Sequence, residues 1–244
     1  MPTAFLEYVK DDPIEHDRFL ALREGLNLLR PYFHNRKVLD FGASYGLSIC
    51  ALTELGANHV IGVEPDPDRV RRGHQIIRNL GIEHKAQLVQ ISYDAILPFP
   101  ECSFETVLAN AVLERIPSGH RPYVREMWRV IKPGGYLIIR ESPNKYLPID
   151  LHTTGGLWLI PWMPKELARR YAIWRGRFRH DADWSTSGWR GIGYYEIEGC
   201  LKGPYKLISE TGRLRHRLLT KLGLPASLFD PYPTLIFQKT AAAA

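Results

Sequence analysis

Two carboxylates, Asp40 and Glu64, each close or interrupt a short apolar run, and they stand 24 residues apart. Asp40 lies in Val38-Leu39-Asp40-Phe41-Gly42-Ala43-Ser44-Tyr45-Gly46, where a strand delivers an acid and a turn of small residues opens a helix. Gly42 and Gly46 let the main chain pass close to a ligand with no Cβ in the way. Glu64 ends the next apolar run, a position from which a carboxylate can accept hydrogen bonds from both hydroxyls of a ribose. Plain strand–helix junctions share the glycine turn; the second acid is what points it toward a nucleoside. A dinucleotide fits poorly. Gly42–Leu47 lacks the G-x-G-x-x-G pattern, and Asp40 would oppose a pyrophosphate that needs the exposed amides of a helix N-terminus.

A second group lies further on, in Pro148-Ile149-Asp150-Leu151-His152-Thr153-Thr154-Gly155. Imidazole has an unperturbed pKa of about 6.5, which suits a base at neutral pH, and Asp150 is placed to orient or tune His152. The other reading of His152 is a turn residue that shapes its segment. Trp158 and Trp162 are spaced i, i+4, a spacing usual for core aromatics; with Tyr146 they could instead wall an apolar substrate pocket. His120, before a helix and beside Arg121 and Pro122, reads as a surface or capping residue.

The elements that must carry these groups alternate regularly. Asp17–Pro31 repeats apolar residues at helical spacing, with Phe19, Leu22, Leu26 and Leu29 on one stripe, and Pro31 ends it. KVLDFG reads as a buried parallel strand, LSICALTEL as a helix stopped by Gly56, and HVIGVE as a second strand. DPDRVRRGHQIIRNLG is a helix with acids early, Arg78 late and Gly81 as terminator. AQLVQIS, FETVLAN and GYLIIRES are further strands, with a helix around Tyr123–Ile131 before the last. This rhythm predicts a parallel, doubly wound sheet.

After Ser142 the rhythm breaks. Residues 143–203 hold Pro143, Pro148, Pro161 and Pro164 and five of the six tryptophans, and they read as a cap inserted after strand five, with a helix near 165–175. YKLIS and PTLIFQK close the sheet around a basic helix at 211–222, which brings Arg213, Arg215, Arg217 and Lys221 opposite Leu214, Leu218 and Leu222. That helix reads as a solvated face packed on the sheet edge, with a membrane-surface contact as the alternative. We divide the chain into a helical lead-in (1–36), a core (37–142), the cap (143–203), a closing segment (204–240) and a tail (241–244), all one domain.

With 45% hydrophobic and 24% charged residues the 244-residue chain is of ordinary globular composition, and its net charge of +6 leaves room for an anionic partner. No run approaches the roughly 20 apolar residues of a membrane span. Cys50, Cys102 and Cys200 are scattered and unpaired in sequence, which argues against a disulfide framework or a metal site and for the cytoplasm.

Taken in order, VLDFGASYG, VIGVEPD, SYDAILPFPECSFETVLANAVLERI and VIKPGGYLII resemble the class I S-adenosylmethionine-dependent methyltransferases, in particular the methyltransferase type 11-like small-molecule subgroup, over about residues 37–141. The resemblance implies a Rossmann-like α/β fold: a seven-stranded doubly wound sheet, mostly parallel with an antiparallel last strand, and helices on both faces. It implies S-adenosylmethionine as cofactor and S-adenosylhomocysteine as product. Asp40, Gly42, Ala43, Ser44 and Gly46 would line the methionine end. Glu64 would hold the ribose with Pro65 beside the adenine, Asp94 would meet the adenine amino group with Tyr93 next to it, and Asn110 and Ala111 would sit near the sulfonium. Lys132-Pro133-Gly134-Gly135 would be a structural turn before strand five.

Two departures stand out. Ser44 replaces the family's usual glycine, so a positive φ there would be strained. Arg115 follows Leu113-Glu114 where the family usually has histidine. The expected reaction is methyl transfer to an oxygen or nitrogen of a small-molecule or sugar-like acceptor, with His152 as base. The alternatives are a tRNA-base or lipid-linked acceptor, or a non-catalytic cofactor-binding protein. The expected partner is the small molecule; DNA is not expected, and RNA or membrane-surface contact is not favoured.

Overall fold

The computed structural model describes residues 5, 12–94, 96–116, 119–208 and 230–241. The basic segment with Arg213, Arg215, Arg217 and Lys221, and the helix expected there, lie outside the described residues. The chain divides into two compact units, Met1–Leu108 with Arg129–Leu137, and Ala109–Trp128 with Ile138–Ala244.

In the first unit, helix α1 (Pro13–Asn27) starts earlier than its apolar stripe suggests. Asp12 caps it by accepting the Glu15 amide at 3.1 Å, Pro13 needs no donor there, and Glu15 faces the positive end of the helix dipole. Phe19, Leu26 and Leu29 of the expected stripe are buried. Strand β1 (Lys37–Phe41) leads to α2 (Leu47–Glu54), β2 (His59–Glu64), α3 (Pro67–Asn79) and β3 (Ala86–Gln90). Asp66 caps α3 through the amides of Asp68 (2.9 Å) and Arg69 (3.3 Å). Gly56 and Gly81, past the ends of α2 and α3, have φ of +94° and +64°, the left-handed region that ends a helix at least cost.

Strand β4 (Phe104–Asn110) begins in the first unit and ends in the second, as does β5 (Ile131–Arg140); α4 (Arg121–Val130) lies between them in sequence. Strand β5 takes in the Lys132–Gly135 segment, expected to precede it, and Gly134 there has φ of +82°. The second unit continues with the hairpin β6 (Ile149–Asp150) and β7 (Leu157–Trp158), then α5 (Lys165–Trp174), α6 (Tyr194–Glu198), β8 (Tyr205–Leu207) and β9 (Leu235–Lys239).

Seven strands form one sheet in the order β3-β2-β1-β4-β5-β9-β8. β1 pairs parallel with β2, and β2 with β3; the register sets Asp40 beside Gly62 and Glu64 beside Gln90. The last strand, β9, runs antiparallel to β8. This is the Rossmann-like sheet the alternation predicts. β1 and β2 read as near-continuous apolar runs because parallel strands are covered on both faces.

The second unit has its own aromatic centre. Leu157, Ile160, Ala168, Ala172, Trp184 and Trp189 form a buried cluster, with Trp184 stacked on Trp189 at 5.5 Å and Phe178 edge-on to Trp184 at 4.7 Å. Trp158, Trp162 and Trp174 are exposed. The i, i+4 spacing of Trp158 and Trp162 does not mark a helix face: β7 ends at Trp158, and a single 3-10 turn covers Ile160–Trp162. All six tryptophans of the chain belong to this unit. Among the described residues no helix is long and apolar enough to cross a membrane.

Candidate functional site

The turn after β1 is held by the end of β2, through the Val63 carbonyl and the Glu64 carboxylate. Gly42 and Ala43 both donate their amides to the Val63 carbonyl at 3.0 Å, which ties the turn to the end of β2. Gly42, Ser44 and Gly46 have φ of +76°, +51° and +93°. Ser44 therefore adopts the conformation that favours glycine, and the strain expected of it is present. Its amide donates to Glu64 Oε2 at 3.0 Å, while Glu64 Oε1 accepts the Asp66 amide at 3.2 Å and lies 3.8 Å from Arg69 Nη1. Glu64 thus braces both the turn and the start of α3 while keeping lone pairs for a ligand.

Asp40 is 1% exposed and accepts the Ser48 hydroxyl from α2. Burial pushes its carboxyl up to about 7; the Ser48 bond works against that, and the nearby Glu64 charge adds to it. A buried acid held this close to neutrality is a ready partner for a cation.

Sequence reasoning missed what presses these pieces together. A Cβ on Gly62 would meet Ile49 Cδ1 at 2.5 Å and Ala43 Cβ at 2.7 Å. One on Gly73 would meet Leu88 Cδ2 at 2.3 Å and the Tyr45 carbonyl at 3.2 Å. The Tyr45 hydroxyl donates to Glu15 Oε2 at 2.7 Å and accepts from Arg18 Nη1 at 3.2 Å, and the Arg72 guanidinium sits 4.3 Å from its ring. Helix α1 is thereby fastened to the turn. Of the remaining expected residues in this unit, Pro65 is half-buried, and Tyr93 and Asp94 are exposed beyond β3.

In the second unit, Asn110 ends β4, with its Oδ1 buried and lacking a hydrogen-bond partner among the described residues. Ala111 has φ of +51°, and its amide donates to the Arg140 carbonyl at 2.9 Å. Asp150 is buried, and its carboxylate serves the main chain. Oδ1 accepts the amides of His152 (3.0 Å) and Thr153 (2.9 Å), and Oδ2 accepts that of Thr154 (2.9 Å). The Asp150 carboxylate thus fixes the 150–154 turn through its backbone, and the bond it makes to His152 is to the amide. The His152 ring lies instead against Arg115, with Nη2 3.5 Å from Nε2, and its centroid is 6.3 Å from that of Tyr232.

A cavity of about 540 Å³ opens in this unit. Trp162 lines it, with Glu114, His120, Arg121, Trp189 and Arg190; Trp158, Tyr146 and His152 do not. Trp162 is held by its indole N–H, which donates to the Lys145 carbonyl at 3.1 Å. Burial pushes the His120 imidazole below its ordinary range, against the pull of Glu196, so the residue read as a surface or capping group is a largely buried one.

A model of the methyltransferase domain family matches residues 39–139. Among curated proteins, the ubiquinone biosynthesis O-methyltransferase of Maricaulis maris is 27% identical over 151 residues, covering 61% of this chain. The chain spans 57% of that relative's length. Among solved structures, the PH0226 protein of Pyrococcus horikoshii aligns over 96% of this chain and 99% of its own, with a TM-score of 0.59 and 17% identity. The [4+2]-cyclase SpnF aligns over 90% of this chain and 81% of its own, with a TM-score of 0.58 and 16% identity. The fold alone therefore extends to other chemistry, and sequence is needed to choose. The methyltransferase domain match, residues 39–139, spans nearly all of the stretch that carries the four ordered blocks.

Proposed function

We propose that the chain binds S-adenosylmethionine and transfers its methyl group to an oxygen or nitrogen of a small-molecule acceptor in the cytoplasm, releasing S-adenosylhomocysteine. One observation supports this above the others: two buried carboxylates, Asp40 and Glu64, flank a turn with left-handed backbone at positions 42, 44 and 46. The cofactor carries a sulfonium and an ammonium and no phosphate, so buried acids suit it where they would repel a dinucleotide. Asp40, Gly42, Ala43, Ser44 and Gly46 take the methionine end and Glu64 the ribose, while Pro65, Tyr93 and Asp94 take the adenine. Asn110 and Ala111 serve the sulfonium end; the unpartnered Asn110 Oδ1 is an acceptor suited to a ligand donor.

The sulfonium supplies an activated methyl group, and the protein's task is to align the acceptor and exclude water, worth several kcal/mol and roughly 7–11 at the extreme. His152 removes the acceptor proton. Nε2, the ring nitrogen that would take the proton, lies 3.5 Å from Arg115 Nη2. Asp150 acts through the turn that carries His152 and is a positioning residue. Residues 143–203 supply the acceptor side, with Tyr146, Trp158 and Trp162 as its aromatic contacts.

Calorimetric titration with S-adenosylhomocysteine tests the cofactor assignment. Glu64→Ala removes a ribose acceptor, one brace of the turn and one of the start of α3, and it should raise Kd about tenfold or more, equivalent to about 1.4 kcal/mol. An unchanged Kd would sink the ribose role. Incubation with labelled cofactor and cell extract then identifies the species made heavier by one methyl group.

A further inference from the structure

Helix α5 has two apolar sides, and only one of them is covered. Ala168 and Ala172, one turn apart, are buried in the aromatic centre of the second unit. Leu167 and Trp174 stand two turns apart on another side, 54% and 76% exposed. Tyr171, half-buried and four residues after Leu167, has its ring 6.1 Å from that of Trp174. Single exposed apolar residues are ordinary, but three in one row form a stripe that meets water instead of a core. The Trp174 indole N–H has no hydrogen-bond partner among the described residues.

The charges around this row are nearly all of one sign. From Leu167 to His180 the chain carries five arginines and no acid. Two are occupied: Arg169 Nη2 donates to the His180 carbonyl at 3.0 Å, and Arg179 pairs with Asp181 at 2.6 Å. Arg170, Arg175 and Arg177 are exposed and pair with no carboxylate among the described residues. Arg170 follows Leu167 by three residues and precedes Trp174 by four, which sets it on the same flank. The Arg175 guanidinium lies 5.7 Å from the Trp174 ring. Glu166, in the first turn, is the only acid of the helix.

Such a stripe matches a bilayer surface. Indole and phenol rings seat at headgroup level, leucine reaches the acyl boundary, and guanidinium groups meet anionic headgroups. A single-stranded nucleic acid would engage the same arginines, but it stacks on open aromatic faces. Leu167 has no such face, and Trp174 already has Arg175 and Tyr171 beside it. We propose that this flank of α5 docks the chain on an anionic lipid bilayer. Leu167, Tyr171 and Trp174 enter the headgroup–acyl boundary, and Arg170, Arg175 and Arg177 meet the headgroups. The proposal stands on α5 and does not depend on methyl transfer. The contact weighed in the sequence for residues 211–222 is a separate one.

Sedimentation of the full chain with vesicles tests it, using phosphatidylglycerol mixed into phosphatidylcholine against phosphatidylcholine alone. The chain should bind the anionic vesicles at least about tenfold more tightly, and about 0.5 M salt should weaken that binding. Replacing Arg170, Arg175 and Arg177 together by Gln should cost about a hundredfold. Leu167→Ser combined with Trp174→Ser should cost about tenfold or more on the same vesicles, a loss that charge attraction alone would not produce. These side chains are exposed, so circular dichroism of the variants should match the parent's. Trp174→Phe supplies a second reading. The parent's emission less the variant's belongs to Trp174, and it should shift to the blue on anionic vesicles. Equal binding to both vesicle types, full binding by the double serine variant, or an unshifted Trp174 emission overturns the proposal. So does binding of a single-stranded oligonucleotide by a chain that no vesicle retains.

Discussion

Asp40 shows how much one buried residue can govern. In an unfolded chain it ionises in the ordinary carboxylate range, while in the fold burial holds its proton up to about 7. Across that interval the folded state binds more protons, so this group's contribution to stability falls as pH rises, and it levels off above about 7. A cationic ligand reverses the preference by drawing Asp40 into its charged form, so that binding expels a proton. Affinity for S-adenosylhomocysteine, whose methionine end carries an ammonium, should therefore rise about tenfold between about pH 6 and pH 8. Asp40→Asn should flatten that rise, which calorimetry across the pH range will read. An equal rise in the variant would assign the pH dependence to another group. Ser44 makes the complementary point. Its left-handed backbone was legible from its place among glycines, but the use of its amide, donated to Glu64, was not.

At the scale of elements, the sequence reading is strongest where residues answer to local rules. Asp66 before Pro67, Arg78 late in α3 and Gly81 after it defined a helix that the structure reproduces. The alternation of β1 to β5 with helices was legible because parallel strands are short apolar runs ended by small residues or acids. What escaped was set by tertiary packing. Nothing local distinguishes Gly62, in the middle of β2, from a weak strand residue, yet Ile49 and Ala43 occupy the space its Cβ would need. Gly62→Ala should destabilise the first unit by about 1–3 kcal/mol through overpacking, measured by chemical denaturation followed by circular dichroism. Stability equal to the parent's would show that α2 can shift away. The β6–β7 hairpin was likewise invisible, since two-residue strands leave no periodicity to read. Of the two readings open for Trp158 and Trp162, core pair or pocket wall, the exposure of both indoles removes the first, because the chain makes a hairpin end and one 3-10 turn there.

For the whole molecule, the residues proposed for the cofactor and those proposed for the acceptor lie on largely different stretches of chain. Asp40 and Glu64 belong to the first compact unit, His152 and the cavity-lining residues to the second. Effects of substitutions in sites that share no partners add. His152→Ala should depress turnover by about a hundredfold, as loss of a general base does, while Kd for S-adenosylhomocysteine stays within about twofold of the parent. In the double variant with Glu64→Ala the two losses should multiply; equal turnover with and without the imidazole would remove it as base. The placement of the tryptophans adds a practical consequence. Because every indole belongs to the second unit, the intrinsic emission of this protein is a natural label on that unit alone. Trp162, exposed at the cavity, offers a signal for ligand entering there, and the stacked Trp184 and Trp189 offer one for loss of the surrounding core. The first unit is spectroscopically silent at the indole band. Emission and circular dichroism followed together would therefore reveal whether the two units melt as one body or in turn.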